Sequence, residues 1–264
     1  MSRRKVFFYY REDDQSQRAA QHIKERSQAY GFTILNTHHD ADIICSIGSD
    51  GTFLQAVRHT GFRTNSLYVG IHLENLGFYC DFSAKKIEDL FEAMDKEMLQ
   101  VRRYPVIQST INETSSFYCL NECSIRSSIL KTFVMEVYID GEYFETFRGD
   151  GMVIATPTGS TGYNKSVGGA VVDPKLPCFQ VSEISSINNN DFRTLGSSFI
   201  LGEDRQLTLK ITHEGLQHPL VGMDNEAINF SAIRQVDVKL ADFRIKTLKM
   251  KSNSFWDKVK RRFL

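Results

Sequence analysis

Two short segments hold most of the residues that could do chemistry. The first, Gly48-Ser49-Asp50-Gly51-Thr52, follows the apolar run Ile43-Ile44-Cys45-Ser46-Ile47 and precedes Phe53-Leu54-Gln55-Ala56-Val57. A strand, a glycine-rich turn and a helix start form an anion site, because backbone N–H groups converge where the helix dipole is positive. Gly48 and Gly51 let the backbone approach phosphate oxygens closely. The loop carries no lysine and so is not a Walker sequence, and its spacing is not G-x-G-x-x-G. Asp50 is the unusual member. A carboxylate inside a phosphate loop repels its ligand unless it has a task, such as orienting a hydroxyl nucleophile or holding magnesium. By itself the pentapeptide also fits an ordinary Asp-Gly turn between strand and helix.

The second segment, Thr156-Pro157-Thr158-Gly159-Ser160-Thr161-Gly162-Tyr163-Asn164-Lys165-Ser166, continues into Gly168-Gly169. It offers hydroxyls, an aromatic face and backbone amides to a polar ligand; a tight turn with surface threonines is the plainer alternative. A phosphate loop and a hydroxyl-rich loop in one chain together suggest a kinase whose acceptor is a small molecule.

The elements that must position these loops follow from hydrophobic period. Residues 5–10 read as a buried strand, 13–30 as a polar-faced helix, 32–35 and 43–47 as strands, and a helix starts near Thr52. Leu67 to Ile71 is a further strand. Ile87, Leu90, Phe91, Met94 and Met98 recur at helical spacing. Such alternation predicts an open α/β sheet over residues 1–102. Beyond Arg102 the period changes to two. Phe133, Met135, Val137 and Ile139 alternate along one strand, Asp140-Gly141 supplies a two-residue hairpin turn, and Tyr143 to Phe147 returns. Leu207, Leu209 and Ile211 repeat the pattern, as do Val236, Val238 and Leu240. Residues 103–249 therefore read as a mainly β domain. In the tail, Phe255, Trp256, Val259 and Phe263 share a helical face with Lys251, Lys258, Lys260, Arg261 and Arg262 around it. Such a helix could lie on a membrane surface; the expectation is that it docks its apolar stripe on its own protein, over 250–264.

Composition excludes several classes. Lysine plus arginine equals aspartate plus glutamate, 32 each in 264 residues, so no global field points to nucleic acid or membrane. Apolar runs are strand-length, and Met1-Ser2-Arg3-Arg4-Lys5 lacks the apolar core of a signal peptide. The five cysteines form no C-x-x-C pair, which suits reduced thiols in a cytoplasmic protein, and the seven histidines show no zinc-site spacing.

The chain resembles the NAD kinase family. Gly48 through Thr52 is similar to that family's GGDGT motif, with Ser49 in place of the second glycine. Asn121-Glu122 resembles its N-E motif, and Thr156 through Gly169 its TPTGSTAY…GG motif, with Gly162 for the commoner alanine. Arg148-Gly149-Asp150-Gly151 matches upstream, and Leu76-Gly77-Phe78-Tyr79 resembles a segment lining the nicotinamide end of the site. GGDGT alone is shared with lipid kinases of the diacylglycerol and sphingosine type.

The resemblance implies an N-terminal α/β domain, a sandwich-like β domain and a chain end that packs back on the first. It also implies a cytoplasmic homodimer or homotetramer that moves the γ-phosphoryl of ATP, or of polyphosphate, to the 2′-hydroxyl of NAD's adenosine ribose. A divalent metal ion, magnesium, is implied as cofactor, with unknown ligands. No nucleic acid or membrane partner is. Asp50 is then the base, Gly48, Ser49, Gly51 and Thr52 the ATP phosphate loop. The implied NAD contacts are Asp50, Gly51, Phe78, Tyr79, Asn121, Glu122, Arg148, Asp150, Thr158, Thr161, Gly162, Tyr163, Asn164, Lys165, Ser166, Ser185 and Asp224. Rival readings are a lipid kinase and a non-catalytic NAD(P) sensor.

Overall fold

A computed structural model describes residues 4–128, 131–212, 219–224, 226–228, 230 and 232–264; the first three residues of the N-terminal stretch lie outside them. Two compact units result, Met1–Tyr104 with Arg244–Leu264, and Pro105–Phe243.

The first unit alternates strands and helices: β1 (Lys5–Tyr10), α1 (Asp14–Ala29), β2 (Thr33–Leu35), β3 (Ile43–Ile47), α2 (Asp50–His59), β4 (Leu67–His72), β5 (Cys80–Ser83) and α3 (Glu88–Asp95). The strands pair in parallel in the order β2-β1-β3-β4, with β5 also parallel on β4. A parallel strand paired on both sides and covered by helices buries both faces, which is why Ile43–Ile47 is buried throughout. Val6, Phe8, Ile23, Ile43, Ile47, Val69, Ile71, Ile87 and Phe91 form its core. The order reverses between β1 and β3. That switch point leaves a crevice at the carboxyl ends of the strands, where open α/β sheets bind ligands.

Two details depart from the sequence reading. α2 starts at Asp50 rather than at Thr52, with Ser49 as its extended N-cap. α3 ends at Asp95, so Met98 falls outside it and is 43% exposed. Glu97 there has φ 52°, which stops the helix before the apolar period is complete.

β6 (Leu99–Ile111) carries the chain into the second unit. There follow β7 (Ser115–Cys119), β8 (Glu122–Ser127), β9 (Phe133–Ile139), β10 (Glu142–Gly149), β11 (Gly151–Ala155), the short α4 (Tyr163–Ser166), β12 (Cys178–Ile184), β13 (Phe199–Gly202), β14 (Leu207–Ile211), β15 (Pro219–Met223) and β16 (Glu226–Ile228). β17 (Gln235–Met250) returns the chain to the first unit, and α5 (Phe255–Phe263) ends it. One antiparallel sheet of the second unit runs β10-β9-β14-β17, and another runs β13-β12-β11-β8-β15-β16. Inward residues of both meet in a single core, among them Phe133, Met135, Phe147, Leu209 and Val236 from the first and Ile125, Ile154, Phe179 and Val221 from the second. This is a sandwich. The hairpin turn has φ 53° at Asp140 and 83° at Gly141, the left-handed pair that a two-residue connection requires.

α5 docks part of the expected apolar stripe, Phe255 and Phe263 meeting Phe78, and departs from the expectation at two residues. Trp256 is 48% exposed, whereas Lys258, expected among the surrounding cations, is buried. The five cysteines are buried and free. Among the described residues no helix is long and apolar enough to cross a membrane.

Candidate active site

In the first unit, a cleft of about 570 Å³ opens at the carboxyl ends of β1, β3 and β4. Arg11 and Asp13 enter it after β1, the 48–52 loop after β3, and residues 73–77 after β4; Arg262 of α5 also lines it. Gly48 has φ 149°, a conformation open to glycine, and a Cβ there would fall 2.4 Å from the Thr52 hydroxyl. Ser49 by contrast sits at φ −87°, ψ 178°, ordinary extended backbone, so the departure at this position strains nothing. Its side chain makes no cap hydrogen bond.

Asp50 is held from behind by the chain entering β5. Phe78 N–H donates to its Oδ2 at 2.7 Å, and Tyr79 N–H to Oδ1 at 2.9 Å; Cys80 N–H reaches Oδ1 at 3.3 Å. Gly77 makes this approach possible, since a Cβ would lie 2.1 Å from the carboxylate. The rings of the same segment are engaged in packing. Tyr79 is buried and stacks on Phe53 of α2 at 4.9 Å, while Phe78 meets Phe255 and Phe263 of α5. Their backbone, more than their rings, therefore serves the cleft.

Beneath the segment lies a buried charge cluster. Asp81 and Lys249 are almost wholly inaccessible, and Lys258 is nearly so. Both ammonium groups bond Asp81, and both donate to the Phe78 carbonyl, Lys249 at 3.2 Å and Lys258 at 3.0 Å. Lys249 also donates to the Tyr79 carbonyl. Burial raises the Asp81 carboxyl but the two lysines outweigh it, leaving it below the usual range. Burial, and the charge of Lys249, lower Lys258 against the pull of Asp81.

The second unit builds its site around the turn between β7 and β8. Asp224 has φ 48° and accepts hydrogen bonds from Leu120 N–H at 2.8 Å and Asn121 N–H at 2.7 Å. Thr156 donates its hydroxyl to Leu120 O at 2.6 Å and its N–H to Asn121 O at 2.8 Å. Thr158 adds a bond to Leu120 O at 3.3 Å. Gly159 packs directly on the turn, 2.1 Å from Asn121 O for a notional Cβ. Asn164 is wholly buried: its Nδ2 donates to Ser160 O and Ala170 O, and its Oδ1 accepts from the Ser182 hydroxyl. Thr158 and Asn164, expected to contact a ligand, thus bind the protein with their side chains. Thr161, Gly162, Tyr163, Lys165 and Ser166 remain accessible.

Glu122 lines a pocket of about 360 Å³ with Ser124, Arg126, Tyr163, Gly222 and Glu226. It is 9% exposed, and its Oε2 has no hydrogen-bond partner. Burial first, and the charge of Asp224 second, push its carboxyl up to about 8. At neutral pH the group is therefore protonated and can donate as well as accept.

Arg148, Asp150 and Ser185 gather elsewhere in this unit. β11 pairs with β8 so that Ala155 faces Glu122 and Gly151 faces Arg126. Asp150 and Thr156 therefore flank β11 at its opposite ends, roughly 20 Å of extended chain apart. Arg148 lays its guanidinium 4.2 Å from the centre of the Phe192 ring, and Ser185 takes φ 49°.

Sequence reasoning did not find Arg11, Glu74, Arg262, Lys249 or Asp81. None belongs to a motif; only the sheet order and the return of the chain end bring Arg11, Glu74 and Arg262 to the cleft, and Lys249 and Asp81 beneath the segment behind it. Among the described residues no three histidine, cysteine, aspartate or glutamate side chains form a metal cage.

Residues 120–249 match the family described as the ATP-NAD kinase C-terminal domain. The chain is 55% identical to NAD kinase 2 of Bacillus subtilis, covering 99% of this chain and 98% of that protein. It is 53% identical to NAD kinase 2 of Geobacillus kaustophilus, covering 100% and 99%. In fold it resembles yeast NADH kinase, solved in complex with NADH, with TM-score 0.79 and 18% identity over 98% of this chain and 87% of that one. It also resembles an NAD kinase from Archaeoglobus fulgidus, solved with ATP, with TM-score 0.75 and 23% identity over 97% and 98%.

Proposed function

This chain belongs to the NAD kinase family, and from that premise we propose how its residues divide the transfer of the γ-phosphoryl group of ATP to the 2′-hydroxyl of NAD's adenosine ribose, giving NADP. The observation that carries the reading is Asp50, a carboxylate on the first turn of α2 inside the cleft at the sheet's switch point. Such a transfer needs positioning and charge neutralisation more than covalent work by the protein. The 48–52 loop supplies backbone N–H groups for the donor phosphates. Arg11 and Arg262 line the same cleft and supply the cations that the loop lacks. A carboxylate has about four acceptor sites. Backbone amides occupy Oδ1 twice and Oδ2 once, which leaves Oδ2 a lone pair for the acceptor hydroxyl and its proton.

The dinucleotide is held through the second unit. Asn121 and Glu122 reach its riboses, with Glu122 donating from its protonated carboxyl. Thr161, Gly162, Tyr163, Lys165 and Ser166 supply the remaining contacts on their side; Thr156, Thr158, Asn164 and Asp224 shape the turn behind them. Arg148, Asp150 and Ser185 form a second recognition group at the other end of β11.

Magnesium is the proposed cofactor. Bound with the triphosphate, it would neutralise phosphate charge, and such an ion needs only one or two protein carboxylates. Asp13 caps α1 and Asp50 holds the 78–80 backbone, so Glu74 is the cleft-lining carboxylate suited to face it. Self-association is supported by exposed apolar residues of the second unit, among them Tyr143, Leu195 and Ile200, the last on edge strand β13. The proposed compartment is the cytoplasm.

The experiment is direct. Protein incubated with magnesium-ATP and NAD is assayed for NADP through an NADP-specific dehydrogenase. NADP formation is expected, and Asp50→Ala is expected to lower turnover by about 10² or more. Dinucleotide binding without turnover, or a phosphorylated lipid instead of NADP, would overturn the reading.

A further inference from the structure

Asp50 is gripped by two peptide groups that are themselves gripped from the opposite side. The amide joining Phe78 to Tyr79 donates its N–H to Asp50 Oδ1, while its carbonyl accepts from the ammonium groups of Lys249 and Lys258. The next amide, joining Tyr79 to Cys80, turns its N–H towards the same oxygen and its carbonyl to Lys249. Each peptide plane thus lies between buried cations and the carboxylate. A cation on the carbonyl oxygen polarises the amide and strengthens donation by its N–H, an effect enlarged where water is excluded. The lysines are not free to leave. Asp81 bonds both, and its second oxygen accepts from Met250 N–H at 3.1 Å.

This arrangement is costly unless it serves a purpose. Two ammonium groups share one buried carboxylate, so a positive charge is left inside the first unit. Simple docking of α5 needs no such excess, because Phe255 and Phe263 already pack on Phe78. On the far side of the same peptides stands the Asp50 carboxylate.

We propose that Lys258, assisted by Lys249, is a positioning residue for phosphoryl transfer: through the two peptide groups it fixes the Asp50 carboxylate that receives the acceptor hydroxyl. The chain's last helix is then a working part of the active site, although it carries no motif. This inference rests on the role given to Asp50 above.

Lys258→Met tests it, keeping the length of the side chain and removing its charge. The single tryptophan, Trp256, lies on the same helix and reports by its emission whether α5 stays docked. With emission unchanged, kcat is expected to fall at least about tenfold. The KM values for ATP and NAD should stay within about twofold, because the loss acts in the transition state and not on substrate binding. Ethylamine should restore part of the turnover of Lys258→Ala by refilling the cationic site. A wild-type kcat, or a rise in both KM values with no rescue by amine, would overturn the proposal. Should α5 release in the variant, Lys249→Met, on β17, carries the test with the same kcat-confined loss expected. Asp50→Ala separates the two levels of the argument. If it retains turnover, the role of Asp50 fails. If it is inactive while both lysine variants are normal, only the positioning role fails.

Discussion

The two glycine-rich segments look alike in sequence and do opposite things in the fold. The 48–52 loop is open: its backbone lines a cleft, and Ser49 is exposed. The 156–169 segment is largely closed, with Thr156, Ser160 and Asn164 fully buried and hydrogen-bonded to neighbouring chain. The same contrast appears in their carboxylates. Asp50 and Asp224 each receive backbone N–H donors, whereas Glu122, beside Asp224, receives none at Oε2 and keeps its proton. Glycine richness therefore marks close approach of backbone, and what approaches differs. At 159 and 169 it is the protein's own chain, at 48 the Thr52 side chain, and at 51 the Ser49 hydroxyl comes no nearer than 3.5 Å.

The largest expected effect tests that distinction. Gly159→Ala forces a Cβ against Asn121 O, a backbone atom with no room to yield. It should destabilise the second unit by about 1–3 kcal/mol and weaken NAD binding with it. Gly51→Ala, whose Cβ meets only the Ser49 hydroxyl at 3.5 Å, should leave thermal stability nearly unchanged. Denaturant melts of both variants make the comparison. Equal losses would erase the difference between an open and a closed segment.

Glu122 gives a pH test of the buried side. Its folded value, about 8, lies above the ordinary carboxyl range, so the native state binds more protons than the unfolded state between roughly pH 4.5 and 8. Its contribution to stability is full below that window and is lost as pH rises through it. Glu122→Gln, which cannot ionise, should match wild type near pH 5 and melt higher than wild type at pH 8. Parallel melting curves at both pH values would show that Glu122 is ionised in the native protein.

The smallest effect is expected on the open side. Backbone strain at Ser49 is ruled out by its extended conformation, which leaves the side chain's bulk as the consequence of the departure from glycine. Ser49→Gly should lower the KM for ATP about 3- to 10-fold, or roughly 0.6–1.4 kcal/mol, and leave the KM for NAD unmoved. Steady-state kinetics with each substrate varied in turn decide it. A rise in the ATP value would identify the serine hydroxyl as a phosphate ligand.

What the sequence by itself determined was local. Period two and period 3.6 placed the strands and most helices, Asp140-Gly141 announced its turn, and the strand-loop-helix grammar around Gly48 placed that loop between β3 and α2. These depend on near neighbours, whose geometry backbone sterics dictate. Met98 escaped because an apolar period carries no information about a residue at positive φ that ends a helix. The roles of individual side chains belonged to tertiary structure. Thr158 and Asn164 bear ligand-competent groups, and only the folded turn at Leu120-Asn121 and the strand carrying Ser182 decide that those groups face inward. Lys258 shows this most plainly. An amphipathic pattern weighs one helix against water, so it assigned a lysine to the polar rim; the buried Asp81 and the Phe78 carbonyl, far away in sequence, supply the acceptors that hold it in the interior. Arg11 and Arg262 line the cleft because the end of β1 and the end of the chain come together there. A motif records what the chain does along its length, and a binding site is assembled from residues that only the sheet order brings together.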